Sequence, residues 1–285
     1  MTPIVSMHPV ILPAPERGDD LRVRISAPAT TDTLPVVILS HGFGESASGY
    51  APLVDAWTAA GFAVLQPTHL DSRTLALPQD DPRQPEIWRI RIDDVRRVLD
   101  NLDVLEALIP GRLDRERVAV AGHSWGAQTV STLLGARVIG FDGVPERDPR
   151  VSAGVLLALT GTGGADLSPF AAEHFPFMSP DFSEMTTPAL LVAGDKDQSM
   201  LSTRGPEWFT DGFYLSPSPK ELLTLPGGEH SLGGITGYGV TETTDEDPAR
   251  VAVVQRATTA YLRSALGIDD AGWAAVRAEA GIASK

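Results

Sequence analysis

Residues 117–127 read RVAVAGHSWGA. Within them Gly122-His123-Ser124-Trp125-Gly126 fits G-x-S-x-G, a pattern so short that only its surroundings give it meaning. VAVAG is a short apolar, β-rich run, and helical apolar spacing starts just beyond it at Val130, Leu133 and Leu134, so the stretch reads strand, tight turn, helix. Glycine at 122 and 126 has a physical reason. A serine on so sharp a turn has strained backbone angles, and side chains beside it would strike the neighbouring strand and helix. Ser124 is therefore a candidate nucleophile.

Outward from this turn, the same alternation covers the chain. Strand-like runs occur at LRVRIS (21–26), VVILS (36–40), FAVLQ (62–66), SAGVLLAL (152–159), ALLVAG (189–194) and ELLTL (221–225). Most are continuously apolar, which suggests a sheet covered on both faces. Helical spacing appears over 50–60, through Val95, Leu99, Leu102, Leu105 and Leu108, and again through Val251, Val254, Thr258, Tyr261 and Ala265. The β-α-β-α order predicts a mainly parallel α/β sheet in one domain, with its core over about residues 20–266 and a C-terminal helical tail over 267–285. Residues 160–188, rich in Gly, Pro and Phe, are too few for a separate domain and read as a loop over the active face. No sizeable cap domain is expected.

Composition narrows the function classes. The 285 residues are 42% hydrophobic and 21% charged, ordinary for a globular chain, and the net charge of −14 repels phosphate backbones and anionic lipid heads. Nucleic-acid and membrane partners are not expected. There is no cysteine, which excludes disulfides, thiolate metal sites and a cysteine nucleophile. The proline-broken start MTPIVSMHPVILPAPERGDD lacks the pattern of a signal peptide, and no segment has the continuous apolar length of a membrane span, so a soluble protein with a cytoplasmic address is the expectation.

A serine hydroxyl needs a base, and the base an orienting carboxylate. On an elbow of this kind the acid and then the histidine follow the serine in the chain. Of six histidines only His230, in LPGGEHSLGG, lies beyond both Ser124 and a strand-end acid in ALLVAGDKDQS. Asp195 and Asp197 both follow that strand. The carboxylate must clear the strand end before turning to the histidine, which favours Asp197 and leaves Asp195 a solvated or loop-capping role. Oxyanion donors are expected from the backbone N–H of Trp125 and, in VVILSHGFG, from that of Phe43.

The set HGFG, GHSWG, AGDKD and GGEH, in this order at strand ends, resembles the α/β-hydrolase superfamily. Within it, SHGFG, PTHLDS, IDDVRRVLDNL and GRLDRERVAVAGHSWG look like the group of platelet-activating-factor acetylhydrolases, chlorophyllases and dienelactone-hydrolase-like esterases. The resemblance implies an eight-stranded, mostly parallel sheet and a triad of Ser124, Asp197 and His230, with Gly194 to Asp197 matching the family's G-x-x-D. Two departures matter. Dienelactone hydrolases carry cysteine at the nucleophile, and chlorophyllases usually show Arg where this chain has Trp125.

The reading is a cofactor-independent carboxylic ester hydrolase acting on a small-molecule ester. A lipase, thioesterase, perhydrolase or polyester hydrolase would use the same residues, and a hydrolase-fold ligand binder is the alternative outside catalysis. Phe43, Trp125 and His69, the last at the cleft rim, are the candidate substrate contacts. His69 with Asp71 is two metal ligands without a third, so no metal is expected. His41 and His123 read as structural, and no role is expected for His8 or His174. Phe170, Phe175, Phe177 and Met178 form either a pocket wall or a satellite apolar cluster. Without a cap, short-chain or accessible acyl esters are expected.

Overall fold

The computed structural model describes residues 3–141, 147–237 and 244–285. The elements run β1 (Ile4–Leu12), β2 (Leu21–Pro28), β3 (Thr33–Ser40), α1 (Ala51–Ala59), β4 (Ala63–Thr68), α2 (Ile87–Asp100), α3 (Leu102–Glu106), β5 (Arg112–His123) and α4 (Trp125–Leu133). They continue with β6 (Arg137–Val138), β7 (Ala153–Leu157), α5 (Pro169–His174), β8 (Pro180–Asp181), β9 (Ala189–Gly194), α6 (Asp211–Leu215), β10 (Lys220–Leu225), α7 (Pro248–Ala265), α8 (Asp270–Ala280) and β11 (Ala283–Ser284). Among the described residues the main sheet has nine strands in the order β1-β2-β4-β3-β5-β7-β9-β10-β11, and β6 with β8 forms a separate two-stranded ribbon.

Strands β4, β3, β5, β7, β9 and β10 are parallel, as the continuously apolar runs require of a sheet covered on both sides. The pleat divides each run between two cores. Val36, Ile38, Val118 and Val120 pack with α2 and α4, whereas Val37, Leu39, Ala119 and Ala121 pack with α1 and α7. Among the described residues, no helix is long and apolar enough to cross a membrane.

Three details differ from the sequence reading. The sheet has one strand more than the eight implied by resemblance, because Ser284 and Ala283 pair with Glu221 and Leu222 at the edge of β10. The tail is thus a helix followed by a short edge strand. At the other edge, β1 pairs antiparallel with β2 and lies outside the expected core range; its register shifts between Met7 and Val10, where Pro9 sits, the position on an edge strand where proline is tolerated.

Parallel pairing brings the strand ends to one edge of the sheet. Ser40 at the end of β3 is level with Gly122, His123 with Leu157, and Gly194 at the end of β9 with Leu225. The loops after β3, β5, β9 and β10 therefore rise side by side, which is where open α/β sheets bind ligands.

Candidate active site

Ser124 occupies the single residue between β5 and α4, with φ 55° and ψ −122°. For a residue with a Cβ this left-handed conformation costs about 1–3 kcal/mol and persists only where the surroundings impose it. They do so by contact. The Ser124 amide donates to the Leu157 carbonyl at 2.9 Å. A Cβ on Gly122 would lie 2.2 Å from the Gly126 carbonyl oxygen, and one on Gly126 would lie 2.1 Å from that of Ser40, so both positions admit only glycine.

The elbow points the Ser124 hydroxyl at the loop after β10. Its Oγ lies 2.9 Å from His230 Nε2, and His230 Nδ1 lies 3.0 and 3.1 Å from the two oxygens of Asp197. A carboxylate only accepts, so Nδ1–H donates to Asp197 and Nε2 is left to accept the serine proton. Asp197 is fully buried; burial pushes its carboxyl above the ordinary range, against the opposing pull of His230. The loops carrying Asp197 and His230 meet where a Cβ on Gly194 would lie 2.1 Å from the Gly228 carbonyl oxygen. Lys196 N donates to that same carbonyl, and Asp195 accepts from Gly227 N at 2.6 Å. Asp195 thus ties the turn and does not meet His230.

The loop after β3 is held by its amides. Gly42 N donates to the Tyr50 hydroxyl at 2.9 Å, and Gly44 N donates to Asp71 at 3.0 Å. Asp71 in turn pairs with Arg91 at 2.6 Å, and Arg91 also donates to the His41 carbonyl. Between these tethered glycines the Phe43 N–H meets no acceptor among the described residues, and neither does that of Trp125 at the first position of α4. Both amides lie beside Ser124, Trp125 next to it in the chain and Phe43 on the wall of the same cavity.

The Tyr50 hydroxyl does more than accept. It donates to His123 Nδ1 at 3.0 Å, and His123 Nε2–H donates to the His230 carbonyl at 2.8 Å. One buried chain of hydrogen bonds therefore joins the Gly42 loop, the elbow and the backbone of the histidine loop. Burial pulls His123 down to about 3 and His41 down to about 4, so both are neutral and their tautomers are set by these partners. His41 Nδ1–H donates to the Gly42 carbonyl at 2.7 Å, and its Nε2 accepts from His69 N.

His69 is not at a cleft rim. It is fully buried, with Nε2 2.9 Å from Ser40 Oγ and Nδ1 2.9 Å from Asp94, a second Ser–His–Asp relay. The sequence reading placed it outward because PTHLDS follows a strand; β4 ends one residue earlier, and the imidazole turns in beneath Arg17, which pairs with Asp94 at 2.9 Å. Ser40 and Asp94 are equally enclosed, and neither lines a cavity beside Ser124. No substrate carbonyl can reach this serine, and the relay braces β3, β4 and α2. Nothing local in the sequence signals it, since its members come from three elements.

Two cavities flank Phe43. One of about 320 Å³ is lined by Ser124, His230, Glu45, Glu229, Ser231 and Thr236. The other, about 1000 Å³, is lined by Phe43, Trp125, Trp88, Phe177, Leu77 and Phe170, among others. Trp125 stacks on Phe177 at 5.5 Å between ring centroids, and Phe177 on Trp88 at 5.7 Å. Of the four residues expected as wall or satellite cluster, Phe170, Phe175 and Phe177 line this cleft, while Met178 is buried in the core.

A family described as "Serine aminopeptidase, S33" (Hydrolase_4) matches residues 31–144. The platelet-activating factor acetylhydrolase of Cavia porcellus is 23% identical over an alignment 288 positions long that covers 84% of this chain. The chain spans 59% of the length of that relative. Among solved structures, a Pyrobaculum calidifontis esterase superposes with a TM-score of 0.61 at 18% identity, over 92% of this chain and 86% of that one.

Proposed function

The chain is an α/β-hydrolase in fold, and from that premise we propose that it hydrolyses carboxylic esters of small molecules through an acyl-enzyme on Ser124. The observation that carries the reading is the strained Ser124 with its Oγ 2.9 Å from a histidine that a buried carboxylate orients. In the first half-reaction Oγ bonds to the ester carbonyl carbon as its proton passes to His230 Nε2. The amides of Phe43 and Trp125 receive the oxyanion. The tetrahedral intermediate then expels the alcohol, which takes the proton from Nε2, and leaves Ser124 acylated. A water repeats the sequence, giving up its proton to His230 and releasing the acid. Asp197 holds the imidazole in the required tautomer throughout. The chemistry stays within these side chains and amides, so the reading calls for no cofactor, and the net charge of −14 argues against a nucleic-acid or anionic-membrane partner.

Ser124→Ala tests the reading. Folded alanine variant should lose hydrolysis of p-nitrophenyl butyrate on the order of a million-fold in kcat. Retention of more than about one part in a hundred would remove Ser124 from the nucleophile's role.

A further inference from the structure

We infer that the large cleft with aromatic walls holds the acyl group of the ester and the small pocket on the His230 side its alcohol, so that the protein selects esters of long acids with small alcohols. The inference rests on the ester-hydrolase reading above and specifies its substrate. A carbonyl carbon bonded to Ser124 Oγ carries three further substituents, and each has its own direction. The oxyanion faces the free amides of Phe43 and Trp125. The alcohol oxygen must receive the proton that His230 Nε2 carries, so it leaves on the His230 side. The acyl chain takes the direction that remains.

The two cavities match this division. His230 lines the pocket of about 320 Å³, whose other walls include Phe43 and Tyr50 beside Glu45, Glu229, Ser231 and Thr236, a volume that suits a small alcohol. It does not line the cleft of about 1000 Å³, which begins at Phe43 and Trp125 and continues along Phe177 and Trp88. That volume is at the upper end of what ligand pockets occupy, roughly 300–1,000 Å³. Arg73 and Glu86 edge the cleft with side chains 72% and 53% exposed, and the buried Asp71, which also lines it, is paired with Arg91 at 2.6 Å.

Long acyl chains thus take the place of the short ones expected from the sequence in this proposal, for a structural reason. Residues 160–188 alone are too few to enclose a chain, but they supply only one wall, with Phe170, Phe175 and Phe177. Further lining comes from the connection between β4 and α2, through Leu77 and the start of α2 at Ile87 and Trp88, the last stacked on Phe177.

Two ester series decide it: methyl esters of straight-chain acids from ethanoate to dodecanoate, and acetates of straight-chain alcohols, each below its aggregation limit, with kcat/KM read from acid release. The methyl esters should gain about two- to fourfold per methylene from butanoate to at least decanoate, as burial of apolar surface dictates, while the acetates fall as the alcohol lengthens. Phe170→Asp, which sets a charge in the cleft, should cut the decanoate-to-butanoate ratio at least about tenfold. Acetates that gain with alcohol length while methyl esters stay flat would overturn the assignment of the two cavities. A decanoate-to-butanoate ratio unchanged by Phe170→Asp would take the chain out of this cleft. If Ser124 reacts with a fluorophosphonate yet ethanoate is the preferred acyl group, this inference fails and the ester-hydrolase reading stands. If neither series is hydrolysed and Ser124 does not react, both fail together.

Discussion

Removing one oxygen atom, in Tyr50→Phe, should loosen the loop that carries the Phe43 amide while leaving the aromatic ring that lines the smaller cavity in place. The hydroxyl is fully buried; it accepts from Gly42 N at 2.9 Å and donates to His123 Nδ1 at 3.0 Å. Phenylalanine leaves a buried donor and a buried acceptor unpaired, each costing about 1–3 kcal/mol, so a loss of about 2–4 kcal/mol in unfolding free energy is expected. Tyr261 supplies an internal standard. It is nearly as buried, but its hydroxyl has no hydrogen-bond partner among the described residues, so Tyr261→Phe should be neutral or slightly stabilising.

Catalysis should separate from stability. Gly42 immediately precedes Phe43, and His123 holds the His230 carbonyl at 2.8 Å, so a shift of this chain displaces an oxyanion donor and the base at once. Losing one oxyanion donor outright costs on the order of 100- to 1000-fold in kcat, and a loosened one should cost about 10- to 100-fold, with KM within about threefold. The assays are urea unfolding and steady-state hydrolysis of p-nitrophenyl butyrate, both at a temperature where each variant is fully folded. A Tyr50→Phe protein as stable as Tyr261→Phe, with wild-type kcat, would refute the reasoning that this hydroxyl positions the site.

The two strand-end aspartates should separate sharply: Asp197→Asn should reduce kcat by roughly ten-thousand-fold, and Asp195→Asn, which perturbs only a turn, by less than about tenfold. Stopped-flow and long-time endpoint assays cover that range, and the reverse ranking would exchange their roles. His123 is held neutral well below its ordinary value, so it contributes stability above about pH 6.5 that is lost as the unfolded chain takes up the proton. The stability advantage of wild type over His123→Gln should therefore shrink by about 2–3 kcal/mol between pH 7 and pH 4.5, read by urea unfolding; a constant difference would show that burial does not hold this imidazole neutral. Gly126→Ala puts a methyl group 2.1 Å from the Ser40 carbonyl oxygen, and should yield little folded protein on expression; a soluble variant with wild-type melting temperature would contradict the close approach of β3 and α4.

What was legible in the sequence was local. The elbow, HGFG, AGDKD and GGEH are each short segments at a strand end, with glycines where chains touch, and parallel pairing brings those ends to one edge. The α/β alternation was legible for the same reason, since each apolar run declares its own period. What was not legible depends on partners far apart in the chain. Tyr50 read as the start of a helix, and nothing in its neighbourhood indicates His123, 73 residues away. His69 read as a cleft-rim residue because the sequence does not reveal its partner Asp94 of α2. The strand β1 was hidden by its prolines, and the further lining of the large cleft by a connection with no periodicity.

Among the described residues, two serines stand 2.9 Å from a histidine that a carboxylate orients, Ser124 and Ser40, and of these Ser124 opens to a cavity. The most direct measurement is therefore mass spectrometry of the wild-type protein after reaction with a fluorophosphonate, with tryptic mapping of the adduct. One phosphonyl group should be found, on the peptide Val118–Arg137 at Ser124, with loss of esterase activity in step with labelling and no label in Ser124→Ala. An adduct on Ser40, or folded wild-type protein that takes up none while hydrolysing esters, would contradict the account.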